Sequence, residues 1–427
     1  MNNKADDLRA RAIAILKEND RGTYTVPTKG LYPFQWNWDS CLTALGLAQI
    51  DEHRGWLEIE TLFAHQWPDG MVPHIIFHVD DEGYFPGPSI WRTDRPTPTS
   101  GITQPAVAGF AARRLFERAK HITLAETRAR ALLPSIDRWH QWFYAHRDPA
   151  QEGLVAILHP WESGRDNSID WDEALERVPT DGIEPYERRD LQHADASHRP
   201  TKAQYDRYLW LLECFRGLVW DNGRLHEASP FKVVDPGFNA ILIRSCQDLA
   251  ALAEQLGETE IAQRNHKLAE RGLSALDRLW SEERGQYLCR DRATGELVDS
   301  PSVGGLLTAF AAIPDARAHA LTRRFDRLAR ETRYLVASQD PSDPRLDPKR
   351  YWRGPVWLIV NYMIADGLAH AGELEMARQI RKSSLELIEA SGFAEYYHPE
   401  TGEPLGGGSF TWTAAMVLEF LREEGRA

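Results

Sequence analysis

The segment 157–172, ILHPWESGRDNSIDWD, concentrates side chains that could act on a sugar. It holds Trp161 together with four carboxylates, Glu162, Asp166, Asp170 and Asp172. An aromatic ring can stack on the apolar face of a pyranose, and a carboxylic acid can protonate a glycosidic oxygen. The segment therefore predicts a sugar-binding loop that carries an acid.

A second carboxylate is needed across such a site, and the stretch 392–415, GFAEYYHPETGEPLGGGSFTWTAA, offers Glu395 between aromatic residues and glycines. Glu400 and Glu403, in the same stretch, are interpreted as acids of a surface loop. Asp166 and Glu395 lie about 230 residues apart in the chain. A closed, toroidal fold is the architecture that routinely brings such distant loops together.

A further aromatic cluster, YPFQWNWDS at 32–40, predicts a second sugar wall. Trp36 and Trp38 could stack on a ring, while Gln35 and Asp39 could hydrogen-bond its hydroxyls. Asp39 could alternatively cap the helix that follows.

The bulk properties narrow the class of partner. The formal net charge of −13 argues against nucleic acid and anionic membranes, which need a basic surface. A small molecule is expected instead, and an anionic one would need a local arginine. No linker interrupts the 427 residues, so we expect a single domain over 1–427.

Cofactors, metals and targeting segments are not predicted. Cys41, Cys214, Cys246 and Cys289 form no CxxC pair, and the Gly-rich nucleotide signatures are missing. The acidic loop DPSDPRLDPKR at 340–350 does not have EF-hand spacing. The N-terminal residues form an amphipathic helix with acids, unlike a signal peptide, and no run approaches the length of a membrane span. We therefore expect a cytoplasmic protein.

Helical periodicity recurs along the whole chain, so an all-α fold is expected. Helices are predicted at 4–18, 38–50, 54–66, 103–119, 124–145, 203–220, 237–255, 259–280, 302–312, 315–330, 354–371, 374–390 and 409–424. Long loops are predicted at 19–37, 67–102, 146–202, 281–301, 331–353 and 391–408. Long and short connections alternate, which is typical of an (α/α)6 toroid whose long loops form the active-site rim. An α-solenoid is less favoured because no repeat of fixed length occurs.

Several motifs, in order along the chain, resemble glycoside hydrolase family 63, and within it the bacterial glucosylglycerate and mannosylglycerate hydrolases. They are YPFQWNWDS at 32–40, TQP at 103–105, HPWESGRDNS at 159–168, HRPTKAQYDRY at 198–208, YWRGPVW at 351–357, FAEYYHPETG at 393–402 and FTWTAA at 410–415. The resemblance implies an inverting hydrolase with an (α/α)6 barrel.

The resemblance assigns the general acid to Asp166 and the general base to Glu395. In an inverting mechanism the acid protonates the leaving oxygen while the base activates water on the opposite face. Trp161 and Glu162 are expected to raise the pKa of Asp166. Glu162 remains a rival for the acid, with Asp170 and Asp172 as later alternatives.

The resemblance also implies a binding site for the hexose and one for an acidic aglycone. The residues expected at the hexose are Tyr32, Trp36, Trp38, Asp39, Gln104, Trp161, Gly164 and Trp357, and Tyr84 is expected to contact the substrate when its loop closes. The residues expected at a glycerate carboxylate are Arg199, Tyr205, Tyr351 and Trp352, with Arg353, Lys202 and Arg207 as alternative cations. The stretches 84–100 and 340–350 are interpreted as lids that close on the substrate.

The function predicted is therefore hydrolysis of glucosylglycerate or mannosylglycerate, without deciding between the two hexoses. The segment GGGSF at 406–410 is glycine-rich where the glycerate-specific members are expected to carry a larger polar side chain, so a neutral α-linked disaccharide or oligosaccharide remains an alternative. A sugar epimerase using His159 and His398, and a non-catalytic carbohydrate-binding or scaffold protein, are further alternatives. Association into a homo-oligomer is left open.

Overall fold

The computed structural model describes residues 2–81, 83–188 and 195–425, and most of them are helical. The predicted loop 146–202 therefore includes six residues, 189–194, that lie outside the described part. The first helices are α1 Asn2–Asn19, α2 Asn37–Ala48, α3 Glu52–Phe63, α4 Pro88–Trp91, α5 Ala108–Glu117, α6 Ile122–His146, α7 Asp172–Glu176 and α8 Lys202–Gly217. The others are α9 Asn222–Ala228, α10 Pro236–Gln255, α11 Thr259–Leu276, α12 Val303–Leu306, α13 Asp315–Glu331, α14 Leu358–His370, α15 Leu374–Ser391 and α16 Thr411–Glu424.

Six of the described helices form a closed inner ring: α2, α5, α10, α12, α14 and α16. A 3₁₀ segment, Leu307–Ala311, extends α12, and contacts between neighbours run around the ring and return from α16 to α2. These helices are apolar on almost every face; α14, for example, is buried along nearly its whole length. A helix that is hydrophobic all round must be surrounded by protein.

A second set of helices, α1, α3, α6, α11, α13 and α15, packs outside this ring. Each buries a single face, as α13 shows with Ala318, Leu321, Phe325 and Leu328. That spacing places one apolar stripe against the ring and leaves charged residues facing solvent. Inner and outer helices alternate along the chain, so the described part forms an (α/α)6 toroid and the predicted fold is confirmed.

The connections follow from this alternation. Each link from an inner to the next outer helix is short, at 49–51, 118–121, 256–258, 312–314 and 371–373. Each link from an outer to the next inner helix is long, at 20–36, 64–107, 147–235, 277–302, 332–357 and 392–410. All long links thus end at the N-termini of inner helices, on one rim. The 16-residue helix α8, which the sequence predicts, and the short helices α4, α7 and α9, which it does not, lie within these rim segments.

Small residues let the inner helices approach closely. A Cβ added to Gly109 of α5 would lie 2.3 Å from the main-chain oxygen of Ser245 on α10. A Cβ added to Gly367 of α14 would lie 2.2 Å from the main-chain oxygen of Ala309. Real Cβ atoms do not approach oxygen so closely, and glycine is therefore required at these two crossings.

The rim loops are held by four short antiparallel hairpins or ladders. They are β1 Gln35–Trp36 with β2 Ile75–Ile76, β3 Val233–Val234 with β6 Arg290–Asp291, β4 Trp280–Ser281 with β5 Gln286–Tyr287, and β7 Tyr396–Tyr397 with β8 Pro404–Leu405. None of the described helices is both long and apolar enough to cross a bilayer.

Candidate active site

A cavity opens at the rim where the long loops meet the N-terminal ends of the inner helices. It is lined by residues from five of the long links and from the first turns of α2 and α16. They are Pro27, Leu31, Tyr32, Trp36, Trp38, Asp39, His74, Gly83, Tyr84, Phe85, Pro86, Gln104, Trp161, Gly164, Asp166, Arg199, Pro200, Tyr205, Tyr351, Glu395, Phe410 and Trp412.

The two carboxyl groups predicted to act as acid and base, Asp166 and Glu395, both line this cavity. Asp39, from the first turn of α2, is a third carboxyl group there. Burial raises the pKa of Asp39 well above its usual range, and the nearby charges of Glu395 and Asp166 raise it further. The cavity thus gathers three acids in a water-poor setting, which favours keeping at least one of them protonated.

The loop that carries Asp166 is held rigidly at its main chain. A 3₁₀ turn, Pro160–Ser163, is capped by the side chain of His159, and Gly164 follows with a φ of +70°. A Cβ at Gly164 would lie 2.7 Å from the ring of Trp38, so glycine allows the loop to reach this wall. The main-chain oxygen of Asp166 accepts two hydrogen bonds, from Trp171 Nε1 at 3.1 Å and from the Tyr208 hydroxyl at 2.9 Å.

The rival acids of the same loop are engaged elsewhere. Glu162 is buried in an ion pair with Arg147 at 2.7 Å. Asp170 pairs with Arg165 at 3.0 Å, and Asp172 pairs with Arg353. Since these carboxylates already bind arginine and do not line the cavity, the structure places Asp166 alone of the four at the site. The pairing of Glu162 also means that it does not present a free negative charge to Asp166, contrary to the expectation.

Glu395 is held by a different arrangement. The hydroxyls of Tyr32 and Tyr351 donate to Oε1 at 3.1 and 3.3 Å, and the Gly407 N–H donates to Oε2 at 3.0 Å. Burial raises the pKa of Glu395, while the charge of Arg199 and these hydrogen bonds oppose that rise. The result is a buried carboxylate with fixed orientation, suited to accept a proton from a bound water.

Gly406 explains part of the glycine-rich segment that departs from the expected pattern. Its φ is +71°, and a Cβ there would lie 2.3 Å from Glu395 Oε2. Gly407 supplies the N–H that binds the same carboxylate. Gly408 has open space around it, with nothing within 4 Å of an added Cβ. Glu395 therefore requires glycine at position 406; a Cβ added to Gly407 would lie 2.8 Å from Thr28 Cγ2, and only Gly408 has room for a side chain.

Arg199 is the one Lys or Arg among the described residues that line the cavity. It is buried, donates to the Tyr32 hydroxyl at 3.0 Å, and lies 4.4 Å from the centroid of the Tyr351 ring. The alternative cations do not line the cavity, and two of them form ion pairs elsewhere. Arg353 pairs with Asp172, and Lys202 pairs with Asp206 at 2.8 Å. Arg207 reaches back to the Ala203 carbonyl on its own helix.

The aromatic walls contain most of the predicted stacking residues. Trp36 and Tyr84 meet edge to face at 5.5 Å, and Tyr205 packs near Trp161 at 5.9 Å. Trp352 and Trp357 do not line the cavity; they are stacked on each other at 3.8 Å behind its surface. The main-chain N–H of Trp352 binds Asn167 Oδ1 at 2.9 Å, next to the acid. These two tryptophans therefore support the wall, whereas direct substrate contact was expected of both.

Two other expectations about polar side chains differ from the structure. Gln35 is turned away from the cavity and bonds Ser40, the Glu58 carbonyl and His78. Asp39 occupies the first turn of α2 but provides no side-chain cap, since the N-cap position is Trp36. Gln104 lies in the wall, where its side-chain oxygen accepts from the Trp38 N–H at 3.2 Å.

The histidines considered for an epimerase do not reach the cavity. His159 is buried between the Trp161 N–H and the Tyr208 carbonyl, and burial lowers its pKa to about 3. His398 lies in the turn before β8, where Nδ1 accepts from main-chain N–H groups. His74, Phe85, Phe410 and Trp412 also line the cavity, although none of them is predicted as a site residue from the sequence. The motif FTWTAA at 410–415 is the signal in the sequence that points to Phe410 and Trp412.

The proposed lids differ in where they lie. Segment 84–100 contributes Tyr84, Phe85 and Pro86 to the wall, and its short helix α4 anchors it through the buried Trp91. Segment 340–350 contributes no lining residue in the described cavity, and its Asp340 is bound by Arg324 and Arg327. No cluster of three or more potential metal ligands occurs in residues 2–81, 83–188 and 195–425.

Comparison with known proteins gives a consistent picture. Residues 32–413 match the family model of the mannosylglycerate hydrolase MGH1-like glycoside hydrolase domain. The chain is 49% identical to the mannosylglycerate hydrolase MGH1 of Selaginella moellendorffii, over 95% of this chain and 84% of that protein. It is 36% identical to the glucosylglycerate hydrolase of Mycolicibacterium hassiacum, over 97% of each chain.

A solved structure is similar throughout its length. The family 63 mannosylglycerate hydrolase of Thermus thermophilus, crystallised in complex with Tris and D-glycerate, superposes with a TM-score of 0.94. It is 46% identical, and the match covers 97% of this chain and 100% of that one.

Proposed function

The chain belongs to the mannosylglycerate hydrolase MGH1-like family of glycoside hydrolases, and we propose that it hydrolyses glucosylglycerate, mannosylglycerate or both to hexose and glycerate. Relatives that match nearly the whole chain carry one or the other of these activities in their names. The related enzyme of known structure was crystallised with D-glycerate. These relatives support both mannose and glucose as the hexose. Kinetics on glucosylglycerate and on mannosylglycerate distinguishes the two.

One observation carries the proposal: the buried Arg199 in the cavity of an acidic protein. The chain has a net charge of −13, so its overall field repels an anionic substrate. A buried guanidinium beside tyrosine hydroxyls can bind a carboxylate with two charge-assisted hydrogen bonds. Arg199 is assigned to the glycerate carboxylate together with Tyr351, whose ring lies against the guanidinium, and Tyr205, which lines the same cavity. Trp352 supports this part of the wall from behind.

The proposed chemistry uses Asp166 as general acid and Glu395 as general base. Water attacks the anomeric carbon and Glu395 takes one of its protons. The bond from the anomeric carbon to the glycosidic oxygen breaks as Asp166 gives that oxygen its proton. The products are a hexose of inverted configuration and glycerate. The proton gained by Glu395 and the one lost by Asp166 are exchanged with solvent after product release.

The hexose is assigned to the wall formed by Tyr32, Trp36, Trp38, Asp39 and Gln104, with Trp161, Gly164 and Tyr84 closing it. Aromatic faces bury the apolar side of a pyranose, and the acid and amide groups bind its hydroxyls. Residues 1–427 are proposed to act as one catalytic domain, since five of the links that join the helices of one toroid meet at a single cavity. Four free cysteines, three of them buried, support a cytoplasmic location, where thiols stay reduced.

The test compares each glycerate glycoside with its glycerol counterpart, which keeps the same linkage and lacks the carboxylate. We expect kcat/KM to be about tenfold to a hundredfold higher for the glycerate compounds, because hydrogen bonds to charged groups contribute about 1.5–3 kcal/mol. Arg199→Ala should remove most of that preference, while Arg207→Ala, which changes an arginine outside the cavity, should keep it. Equal rates on both substrates in the wild type would overturn the acidic aglycone and leave a family 63 glycosidase of other specificity.

A further inference from the structure

Arg199 and Glu395 are joined by a single side chain. The Tyr32 hydroxyl accepts an N–H of Arg199 at 3.0 Å and donates its own hydrogen to Glu395 Oε1 at 3.1 Å. Burial keeps the pKa of Tyr32 well above its usual range, so the hydroxyl retains the hydrogen that it donates. The group assigned to the aglycone is thus connected to the group assigned to the water through two hydrogen bonds.

Tyr351 provides a built-in comparison for Tyr32. Its hydroxyl donates to the same oxygen of Glu395, at 3.3 Å. The Arg199 guanidinium lies over the ring of Tyr351, at 4.4 Å from the centroid, rather than against its hydroxyl. Both tyrosines therefore bind Glu395, but the hydrogen-bonded connection to Arg199 that the structure shows runs through Tyr32.

We propose that Tyr32 and Arg199 form a relay through which the carboxylate of a bound acidic aglycone strengthens Glu395 as a base. The inference rests on the proposed function, in which Arg199 binds that carboxylate. It goes further, because it makes the aglycone act on the rate of the chemical step as well as on binding. No proton passes along the relay; only the polarisation of the two hydrogen bonds changes.

The direction of the effect follows from charge. The guanidinium lowers the pKa of Glu395, although burial raises it by more. A carboxylate bound to Arg199 offsets the positive charge, so the pKa of Glu395 rises on binding. A base of higher pKa accepts a proton from water more readily, as long as it stays ionised at the working pH. A neutral aglycone leaves the opposing charge in place.

Other ionisable groups near Glu395 also interact with its carboxylate before an aglycone binds. Asp39 is a carboxyl group close enough to interact with it electrostatically, and Tyr396 is a buried phenol on the adjacent strand β7. Tyr396 also interacts with the Arg199 guanidinium, but neither Tyr396 nor Asp39 makes either of the two hydrogen bonds that join Arg199, Tyr32 and Glu395. Their contribution is present with and without an aglycone, so it does not produce a change on binding.

The test measures proton uptake when D-glycerate binds to the full-length enzyme. Calorimetric titrations in buffers of different ionisation enthalpy, between pH 5 and 8, give the number of protons taken up per ligand. Glycerate is ionised throughout this range. If the pKa of Glu395 rises by one unit, uptake reaches a maximum of about half a proton and glycerate binds up to about tenfold more tightly at the acid end.

Three variants distinguish proton uptake by Glu395 that depends on the relay from proton uptake by other groups. Glu395→Gln should abolish the uptake, Tyr32→Phe should reduce it strongly, and Tyr351→Phe should retain it. Glycerate binding without uptake in the wild type would overturn the relay and leave the proposed function intact. Uptake that survives in Glu395→Gln, or that depends on Tyr351 instead of Tyr32, would also overturn it. Absence of glycerate binding would contradict the acidic aglycone itself, and with it the relay.

Discussion

Asp166 and Glu395 are held in contrasting ways. The structure fixes Asp166 through its main chain, whose oxygen accepts from Trp171 and Tyr208. Glu395 is fixed through its side chain, with donors on both carboxylate oxygens. A general acid gives its proton to the leaving oxygen and later regains one from solvent, whereas a general base needs a defined orientation toward one water. The fixed orientation of the Glu395 carboxylate agrees with its proposed role as the base.

Asp166→Asn and Glu395→Gln are each expected to lower kcat by at least about a hundredfold, because general acid and base terms are of that size or larger. Both replacements keep the shape of the side chain, and circular dichroism should show an intact fold. Steady-state kinetics on a glycerate glycoside measures the effect.

Glu400→Gln is the matched control for these variants, since Glu400 is an exposed acid of the turn before β8. It should keep wild-type turnover. Glu162→Gln is a poor control, because it would break the buried pair with Arg147. Wild-type turnover in Asp166→Asn or Glu395→Gln would show that the assignment of roles is wrong.

The sequence predicted most of the residues near the cavity, but not which of them line its surface and which lie behind it. Aromatic type and motif selected Trp352 and Trp357 as readily as Trp36 and Trp38, yet the first pair is stacked behind the wall. His74 gave no signal, because a single histidine between apolar residues resembles a core position. Depth depends on how separate loops pack against one another, and no local pattern encodes that.

At the scale of elements, the hairpin of β7 and β8 sets the position of the base. The N–H of Glu395 donates to the Gly407 carbonyl at 2.8 Å, and the Gly407 N–H donates to the Glu395 side chain. The following residues enter α16, whose first turn brings Trp412 to the cavity. The main chain of this segment therefore orients the carboxylate that is proposed as the base.

Gly406→Ala is expected to lower kcat by about tenfold or more while leaving KM less affected. The added Cβ would lie 2.3 Å from Glu395 Oε2, in a backbone conformation with φ of +71° that side chains rarely adopt, so the carboxylate must move. A small misplacement of a catalytic group can cost a large factor in rate.

Gly408→Ala tests whether this effect is specific, because it adds the same methyl group two residues away, in open space. It should retain nearly the full kcat. Comparable losses in both variants would indicate that the segment responds to any substitution, and that Gly406 has no particular relation to Glu395.

At the scale of the whole molecule, the sequence predicted the ring and its open rim. Each of the thirteen predicted helices overlaps a helix of the structure, because apolar periodicity is strong in both inner and outer helices. Their ends were less accurate: the helix predicted from 103 begins at Ala108, and the one predicted from 354 begins at Leu358. Rim segments also contain α4, α7 and α9, which are too short to give a periodic pattern.

The ring explains how residues so far apart in the chain share one cavity. Every long link ends at the N-terminus of an inner helix, and the inner helices are arranged around one central axis. The first turns of α2 and α16, which meet where the ring closes, bring the N-terminal and C-terminal motifs together. The catalytic pair therefore depends on ring closure, and a sugar bound at the axis has acid and base supplied from different loops.

The most direct test of the central claim is the configuration of the first product. Proton NMR of fresh reaction mixtures should follow α-glucosylglycerate and α-mannosylglycerate as the enzyme acts on them. If Asp166 protonates the leaving oxygen while Glu395 directs water to the opposite face, the β-anomer of the hexose appears first, together with glycerate, and the α-anomer grows in only by mutarotation. An initial α-anomer would instead require a covalent intermediate and contradict the role of Glu395, and the absence of any hydrolysis of both compounds would contradict the proposed function.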